Sequence, residues 1–267
     1  MNDFKFKKKF GQNFLQNREI IKKIAGTGEV MDNSLIIEVG PGSGNLTVEL
    51  ANMYSSSNIL AYEIDNSLED ILYDRLRDYS NVKVLFTDFL KQNIKEDISI
   101  YNFKELYFIS NVPYYITTPI LFKLIDSELS FKRIVMMVQK EVGDRFCSSV
   151  SKKEYGALTV ILNYFFVVKK EFIVDRNQFY PKPNVDSVVV SFTRKKELEN
   201  LIDKEHFIKL VHNSFQFRRK TLRNNLKKYN LSIINNILNK YGYDLNVRAE
   251  TLDYKIFVEI SNALVEE

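Results

Sequence analysis

The chain has 267 residues, 38 Lys+Arg against 34 Asp+Glu for a net charge of +4, and 45% hydrophobic residues, an ordinary globular composition with room for one large core and a small second domain. A single cysteine, Cys147, excludes a disulfide framework, and the two histidines, His206 and His212, share no metal-ligand spacing with it, so no metal is expected. No run approaches the roughly 20 apolar residues of a membrane helix, and the basic N-terminus is not followed by an apolar stretch, which points to a reduced, cytoplasmic setting without a secretory signal.

After a basic, aromatic segment, Met1 to Gln16, an apolar run from Leu35 to Val39 ends in a glycine cluster and is followed by a helical pattern from Asn45 to Met53. Short runs rich in Val, Ile, Leu and Phe recur at Ile59–Ile64, Val82–Phe86, Leu106–Ile109 and Ile134–Val138, separated by helix or loop segments. This alternation predicts a mostly parallel sheet covered on both faces, a doubly wound α/β domain. Two longer β-type stretches, Leu158–Val168 and Val185–Phe192, flank Phe179, Tyr180, Pro181, Lys182 and Pro183, and are expected to pair at a sheet edge. Past Lys196 the apolar positions recur at helical spacing (Phe207, Leu210, Val211, Ser214, Phe215, then Ile233, Ile234, Ile237, Leu238). The expected division is therefore an α/β domain over 1–195 and a small all-helical domain over 196–267.

The sharpest local feature is Glu38, Val39, Gly40, Pro41, Gly42, Ser43, Gly44 at the end of the first predicted strand. Gly40, Gly42 and Gly44 allow a tight turn and close approach to a ligand, while Glu38 suits a cationic amine. The spacing G-x-G-x-G differs from the dinucleotide fingerprint G-x-G-x-x-G. It favours S-adenosylmethionine, whose amino-acid end is zwitterionic and which carries no pyrophosphate; a purely structural glycine turn is the alternative. Glu63, 19 residues after Gly44 at the end of the next strand, suits both ribose hydroxyls of a nucleoside, or else is a surface charge. Asp88 in Thr87, Asp88, Phe89 is placed to accept from an adenine amine with Phe89 packed nearby, or to cap a helix.

Asn111, Val112, Pro113 and Tyr114 follow the fourth predicted strand. An exocyclic adenine amine is a poor nucleophile because its lone pair is delocalised into the ring. A catalyst therefore gains by accepting both N–H hydrogens, through the Asn111 side-chain oxygen and the Val112 carbonyl, which Pro113 aims. Tyr114 offers a π face to a flipped base. A plain Asn-Pro turn is the competing reading.

Together these residues resemble the ribosomal RNA adenine dimethyltransferases of the KsgA type. The resemblance rests on Lys9, Phe10, Gly11, Gln12, Asn13, Phe14, Leu15; on the glycine loop; on Asn111–Tyr114 with Ile116, Thr117, Thr118, Pro119; on the stretch from Phe179 to Ser187; and on Phe217 to Leu226, so it covers nearly the whole chain. It implies that Gln12, Asn13 and Leu15 line the cofactor site, that Gly40 meets the methionine portion, Glu63 the ribose and Asp88 the adenine, and that Asn111 lies between methyl donor and target amine. It further implies that Phe179 sandwiches the substrate base with Tyr114, where a core aromatic would otherwise be read. Ser110, where the family often has Gly or Ala, and Tyr115, where Asn is frequent, depart from the pattern.

Seven basic residues and no acidic one lie between Phe207 and Tyr229. Among them Arg218, Arg219, Lys220, Arg223 and Lys227 are expected to bind RNA phosphates from a helix face, with a solvated face as the alternative. The implied activity is S-adenosylmethionine-dependent dimethylation of two adjacent adenosines in the 3'-terminal hairpin of small-subunit (16S) rRNA, releasing S-adenosylhomocysteine. The implied partner is a small ribosomal subunit precursor with its rRNA, met by a monomer with no membrane attachment. Two rivals remain: an Erm-type enzyme acting on large-subunit RNA, disfavoured by Pro119 and the run Arg218–Leu226, and a nucleic-acid-binding protein that kept the fold without catalysis, disfavoured by intact Asn111, Pro113 and Tyr114.

Overall fold

A computed structural model describes residues 13–266. In chain order the elements are β1 (Phe14–Leu15), α1 (Arg18–Thr27), β2 (Leu35–Val39), α2 (Asn45–Met53), β3 (Asn58–Glu63), α3 (Glu69–Leu76), β4 (Val82–Phe86), α4 (Ile94–Ile98), β5 (Leu106–Asn111), α5 (Thr117–Asp126), β6 (Phe131–Gln139) and α6 (Lys140–Phe146). They continue with α7 (Ala157–Phe165), β7 (Phe166–Val174), β8 (Phe179–Tyr180), β9 (Ser187–Arg194), α8 (Lys204–Ser214), α9 (Leu222–Asn225), α10 (Leu231–Lys240) and α11 (Tyr254–Val265). Chain contacts group these into two compact units, one running to Gly143 and resuming over Lys169–Arg194, the other made of Asp144–Val168 and Lys195–Glu267.

Among the described residues, seven strands of the first unit form one sheet in the order β4-β3-β2-β5-β6-β9-β7. Pairing is parallel from β4 through β6 and antiparallel between β6 and β9. The central strands are apolar up to their carboxyl ends, as suits strands covered on both faces; Leu35, Ile36, Ile37, Phe108, Ile109 and the run Ile134–Val138 are buried. The chain lays down β2, β3 and β4 outward in one direction, then returns to add β5 on the other side of β2. The β2–β5 ladder stops at Ile37↔Phe108. Beyond it lies the crevice where an open α/β sheet reverses strand order, the usual place for a ligand.

The chain departs from the sequence reading in the stretch before β7. Leu158–Phe165, expected as strand, is the body of α7, and its apolar residues Val160, Ile161, Leu162 and Tyr164 are buried nearly all round. A continuous apolar run fits a buried helix as well as a buried strand. Ser187–Arg194 forms a strand, as expected, and pairs with β7 at the edge of the sheet.

In the second unit α7 packs with α8 and α11, and Tyr155, buried, donates its hydroxyl to the Leu252 carbonyl at 2.9 Å. Residues 144–168 therefore group with the C-terminal helices and not with the α/β unit, unlike the expected single boundary after residue 195.

Candidate active site

The carboxyl ends of β2, β3, β4 and β5 open onto one cleft with about 1050 Å³ of open space. Its lining includes Asn13, Leu15, Glu38, Gly40, Gly42, Glu63, Asp88, Phe89, Asn111, Val112, Pro113, Tyr114 and Tyr115. The motifs separated in sequence thus meet in one place. Gln12, Lys9, Phe10 and Gly11 lie outside the described residues.

Hydrogen bonds stitch the strand ends together. Gly40 N–H donates to the Tyr62 carbonyl at 2.8 Å and Thr87 N–H to the Glu63 carbonyl at 2.8 Å. Across the crevice, where the ladder has ended, buried Ser110 donates its hydroxyl to the Val39 carbonyl at 2.6 Å. Serine at a position where the resemblance leads one to expect Gly or Ala thus adds a tie between the glycine loop's strand and the strand bearing Asn111.

The glycine loop is held in left-handed backbone, with φ of +72° at Gly40 and +58° at Gly42. A Cβ on Gly42 would sit 2.6 Å from the Phe14 ring and one on Gly40 would sit 3.2 Å from Pro113. Only glycine satisfies both the turn and the close approach of these two segments. Gly44, at φ +76°, precedes α2 as its cap residue.

Glu38 is buried, and its Oε2 has no hydrogen-bond partner among the described residues. Burial pushes its carboxyl up to about 8; the Thr47 hydroxyl opposes the rise and neighbouring Glu63 adds to it. An orphaned buried carboxylate oxygen in a cleft is stabilised by a cation, and the ammonium of an amino-acid group supplies one. Glu63 is buried as well. Its Oε2 accepts from Gly42 N–H at 3.1 Å and its Oε1 from Asp65 N–H at 2.9 Å. Burial raises its carboxyl despite these bonds. Each oxygen keeps a second lone pair, enough for a vicinal diol.

Asp88 combines its two readings: Oδ1 caps the short turn Phe89–Lys91 by accepting from Leu90 N–H at 3.0 Å, while the residue also lines the cleft. Phe89 is buried edge-on against Tyr62, with ring centroids 5.0 Å apart. Tyr115, half exposed, lines the cleft, and burial followed by the nearby Asp88 and Glu63 carboxylates raises its phenol.

Asn111 ends β5, Val112 is buried, and Pro113 has φ −56° and ψ 127°. The Tyr114 hydroxyl lies 2.6 Å from the hydroxyl of buried Ser187, a contact that no local sequence pattern encodes. Phe179 is expected, from the resemblance, to sandwich the substrate base with Tyr114. Its ring is 4% exposed and packs in the core with Leu15, Ile21 and Ile24; it is not among the residues lining the cleft. β8 pairs with β1, setting Phe179 opposite Leu15, and this register turns the phenyl inward while Tyr180 faces solvent.

The basic residues of the second unit are exposed: Arg218, Arg219, Lys220, Arg223 and Lys227. They do not share one continuous helix face, because α9 begins only at Leu222 and residues 215–221 form turns. Asn225 clamps those turns, donating to the Ser214 carbonyl at 2.7 Å and accepting from Phe217 N–H at 3.2 Å. Arg218 is partly committed elsewhere, donating to the carbonyls of Lys152 and Lys153.

The family model described as ribosomal RNA adenine dimethylase matches residues 3–266. The chain belongs to the ribosomal RNA adenine dimethylase family. It is 41% identical to "Ribosomal RNA small subunit methyltransferase A" of Streptococcus gordonii, over 99% of this chain and 93% of that protein. The crystal structure of a dimethyladenosine transferase from Plasmodium falciparum superposes with a TM-score of 0.75 at 26% identity, covering 92% of this chain and 95% of that one. That of the 23S rRNA methyltransferase ErmE gives 0.72 at 25% identity, covering 94% and 99%. The rRNA adenine dimethylase is an S-adenosylmethionine-dependent methyltransferase. The orphaned Glu38 oxygen, the left-handed glycine loop and the diol-sized capacity of Glu63 fit the amino-acid, backbone-approach and ribose demands of that cofactor.

Proposed function

We propose that the protein dimethylates the exocyclic amines of two adjacent adenosines in the 3'-terminal hairpin of 16S rRNA, acting in the cytoplasm as a monomer on a small-subunit precursor. The observation that carries this reading is the meeting of Asn111–Tyr114 with Glu38, Gly40 and Glu63 in one cleft at the sheet's switch point. The 41% identity to a small-subunit methyltransferase supports the choice of subunit.

When bound, the cofactor supplies an electrophilic methyl carbon. Glu38 pairs with the ammonium, Glu63 accepts from the ribose, Asp88 accepts from the adenine amine, and Asn13, Leu15, Gly40, Gly42 and Phe89 shape the walls. The Asn111 side-chain oxygen and the Val112 carbonyl accept the two N–H hydrogens of the target amine and favour a more tetrahedral nitrogen, whose lone pair is then free to attack. Tyr114 stacks on the base. No strong base is needed, because the methylated ammonium loses its proton readily. Acceleration comes from proximity and from acceptors fixed in advance. Arg219, Lys220, Arg223 and Lys227 hold phosphates, with Arg218 contributing what its carbonyl contacts leave free.

The test is nucleoside analysis after incubation with methyl donor and undermethylated small subunits. N6,N6-dimethyladenosine at both neighbouring positions is the expected product. Preference for protein-free large-subunit RNA overturns the choice of substrate in favour of an Erm-type activity, and no transfer to either leaves a binding protein.

A further inference from the structure

Tyr114 stands in the short turn Tyr114–Ile116, whose backbone is fixed at several points: Ile116 N–H donates to the Pro113 carbonyl at 3.1 Å and the Thr117 hydroxyl to the Tyr114 carbonyl at 3.3 Å. Those contacts fix where the ring begins but not how it is rotated about its own bonds. The far end is fixed by one contact, the 2.6 Å approach of the Tyr114 hydroxyl to the Ser187 hydroxyl, in which either oxygen can donate. This lies at the short end of the O–H···O range.

Ser187 is well placed to act as an anchor. It is fully buried at the first position of β9, opposite Gln139 of β6, and the residue before it is tied down by Lys140 N–H donating to the Asp186 carbonyl at 2.9 Å. A hydroxyl this rigid transfers the position of the sheet to the phenol. Burial raises the phenol, and the bond to Ser187 opposes that rise, so the contact bears on the titrating oxygen itself.

We propose that Ser187 is a positioning residue for methyl transfer, holding the Tyr114 phenol so that the ring presents a fixed face to the flipped adenine. The inference rests on the reading of Tyr114 as the stacking face. Stacking counts only when ring and base planes match, so a ring free to rotate loses part of it while leaving the cofactor pocket untouched.

The experiment compares Ser187→Ala, Ser187→Thr, Tyr114→Phe, Tyr114→Ala and the double variant Ser187→Ala/Tyr114→Phe in single-turnover methylation of undermethylated small subunits at saturating cofactor. Cofactor affinity is measured by calorimetry. Ser187→Ala and Tyr114→Phe should each slow transfer about three- to tenfold, the scale of one neutral hydrogen bond. The double variant should be no slower than the slower single, because both remove the same bond. Ser187→Thr should recover the parent rate within about twofold, and cofactor affinity should stay within about twofold throughout.

Multiplying losses in the double variant, or parent rates in Ser187→Ala and Tyr114→Phe while Tyr114→Ala is slow, overturn the positioning role and leave the stacking reading standing. A parent rate in Tyr114→Ala overturns the stacking reading itself. If Ser187→Ala fails to fold, Tyr114→Phe decides alone: retention of the parent rate overturns the proposal.

Discussion

The cleft at the strand ends and the basic turns after α8 both gather side chains that bind, yet they are made in opposite ways. In the cleft, carboxylates and glycines sit on closely packed backbone: Glu38 and Glu63 are buried at the ends of β2 and β3, and Gly42 lies close enough to Phe14 to exclude any Cβ. In the basic turns it is the backbone that is clamped, by Asn225, while Arg219, Lys220, Arg223 and Lys227 extend into solvent. A region of the first kind discriminates a ligand atom by atom. One of the second kind senses the density of charge, and each of its members contributes a small share of the whole.

The largest contrast should appear with pH in the ligand-free protein. Glu38 has a folded-state value raised from an ordinary 4.5 to about 8, so the stability its protonated form supports is complete below about 4.5 and is lost as pH rises through about 8. Glu63 is raised too and acts in the same direction. The expected loss between those limits is on the order of 5 kcal/mol. Thermal unfolding at a series of pH values should show a falling Tm that Glu38→Gln flattens. A pH profile identical in parent and variant would remove the buried carboxyl from this role.

Next comes Asn111→Ala, expected to remove about 3 kcal/mol of transition-state stabilisation with cofactor affinity nearly intact. Single-turnover transfer within twofold of the parent would contradict the acceptor role.

Glu63→Ala belongs on affinity, not on rate: losing a carboxylate shared by two hydroxyls should weaken the cofactor by about 1.5 to 3 kcal/mol. An unchanged dissociation constant by calorimetry would place the ribose elsewhere. The same substitution also frees Gly42 N–H, so a change in loop order should accompany the weaker binding.

The smallest effect per residue lies on the surface. Neutralising Arg219, Lys220 and Arg223 together should weaken subunit binding and flatten its salt dependence by up to about three phosphate contacts, with cofactor binding unchanged. A salt slope equal to the parent's would make this a merely solvated surface.

The sequence was most readable where local chemistry and tertiary role coincide. Leu35–Val39 and Val82–Phe86 were located to the residue because turn-forming neighbours bound the apolar runs. Glu38, Gly40, Glu63 and Asn111 stand out in the sequence because strand ends are where an α/β sheet binds ligands, and all four line the cleft. Leu158–Phe165 reads as a strand because a helix buried over most of its surface has no clear periodic face to reveal it. Phe179 was placed by its motif, but its direction depends on the two-residue pairing of β8 with β1, which no local pattern encodes. For Ser187 and Ser110 the sequence marks the position but not the contact: each hydroxyl matters for the distant group it meets, Tyr114 in one case and the Val39 carbonyl in the other.

The polypeptide passes between the two compact units three times, near residues 143, 168 and 194. A unit attached by one junction can be cut off, exchanged or fused as a cassette; this one cannot. Cleavage after residue 195 would leave α7 with its buried Val160, Ile161 and Leu162 stripped of the helices that cover them. Swapping the helical unit between relatives to retarget the enzyme would require three splice points moved in concert.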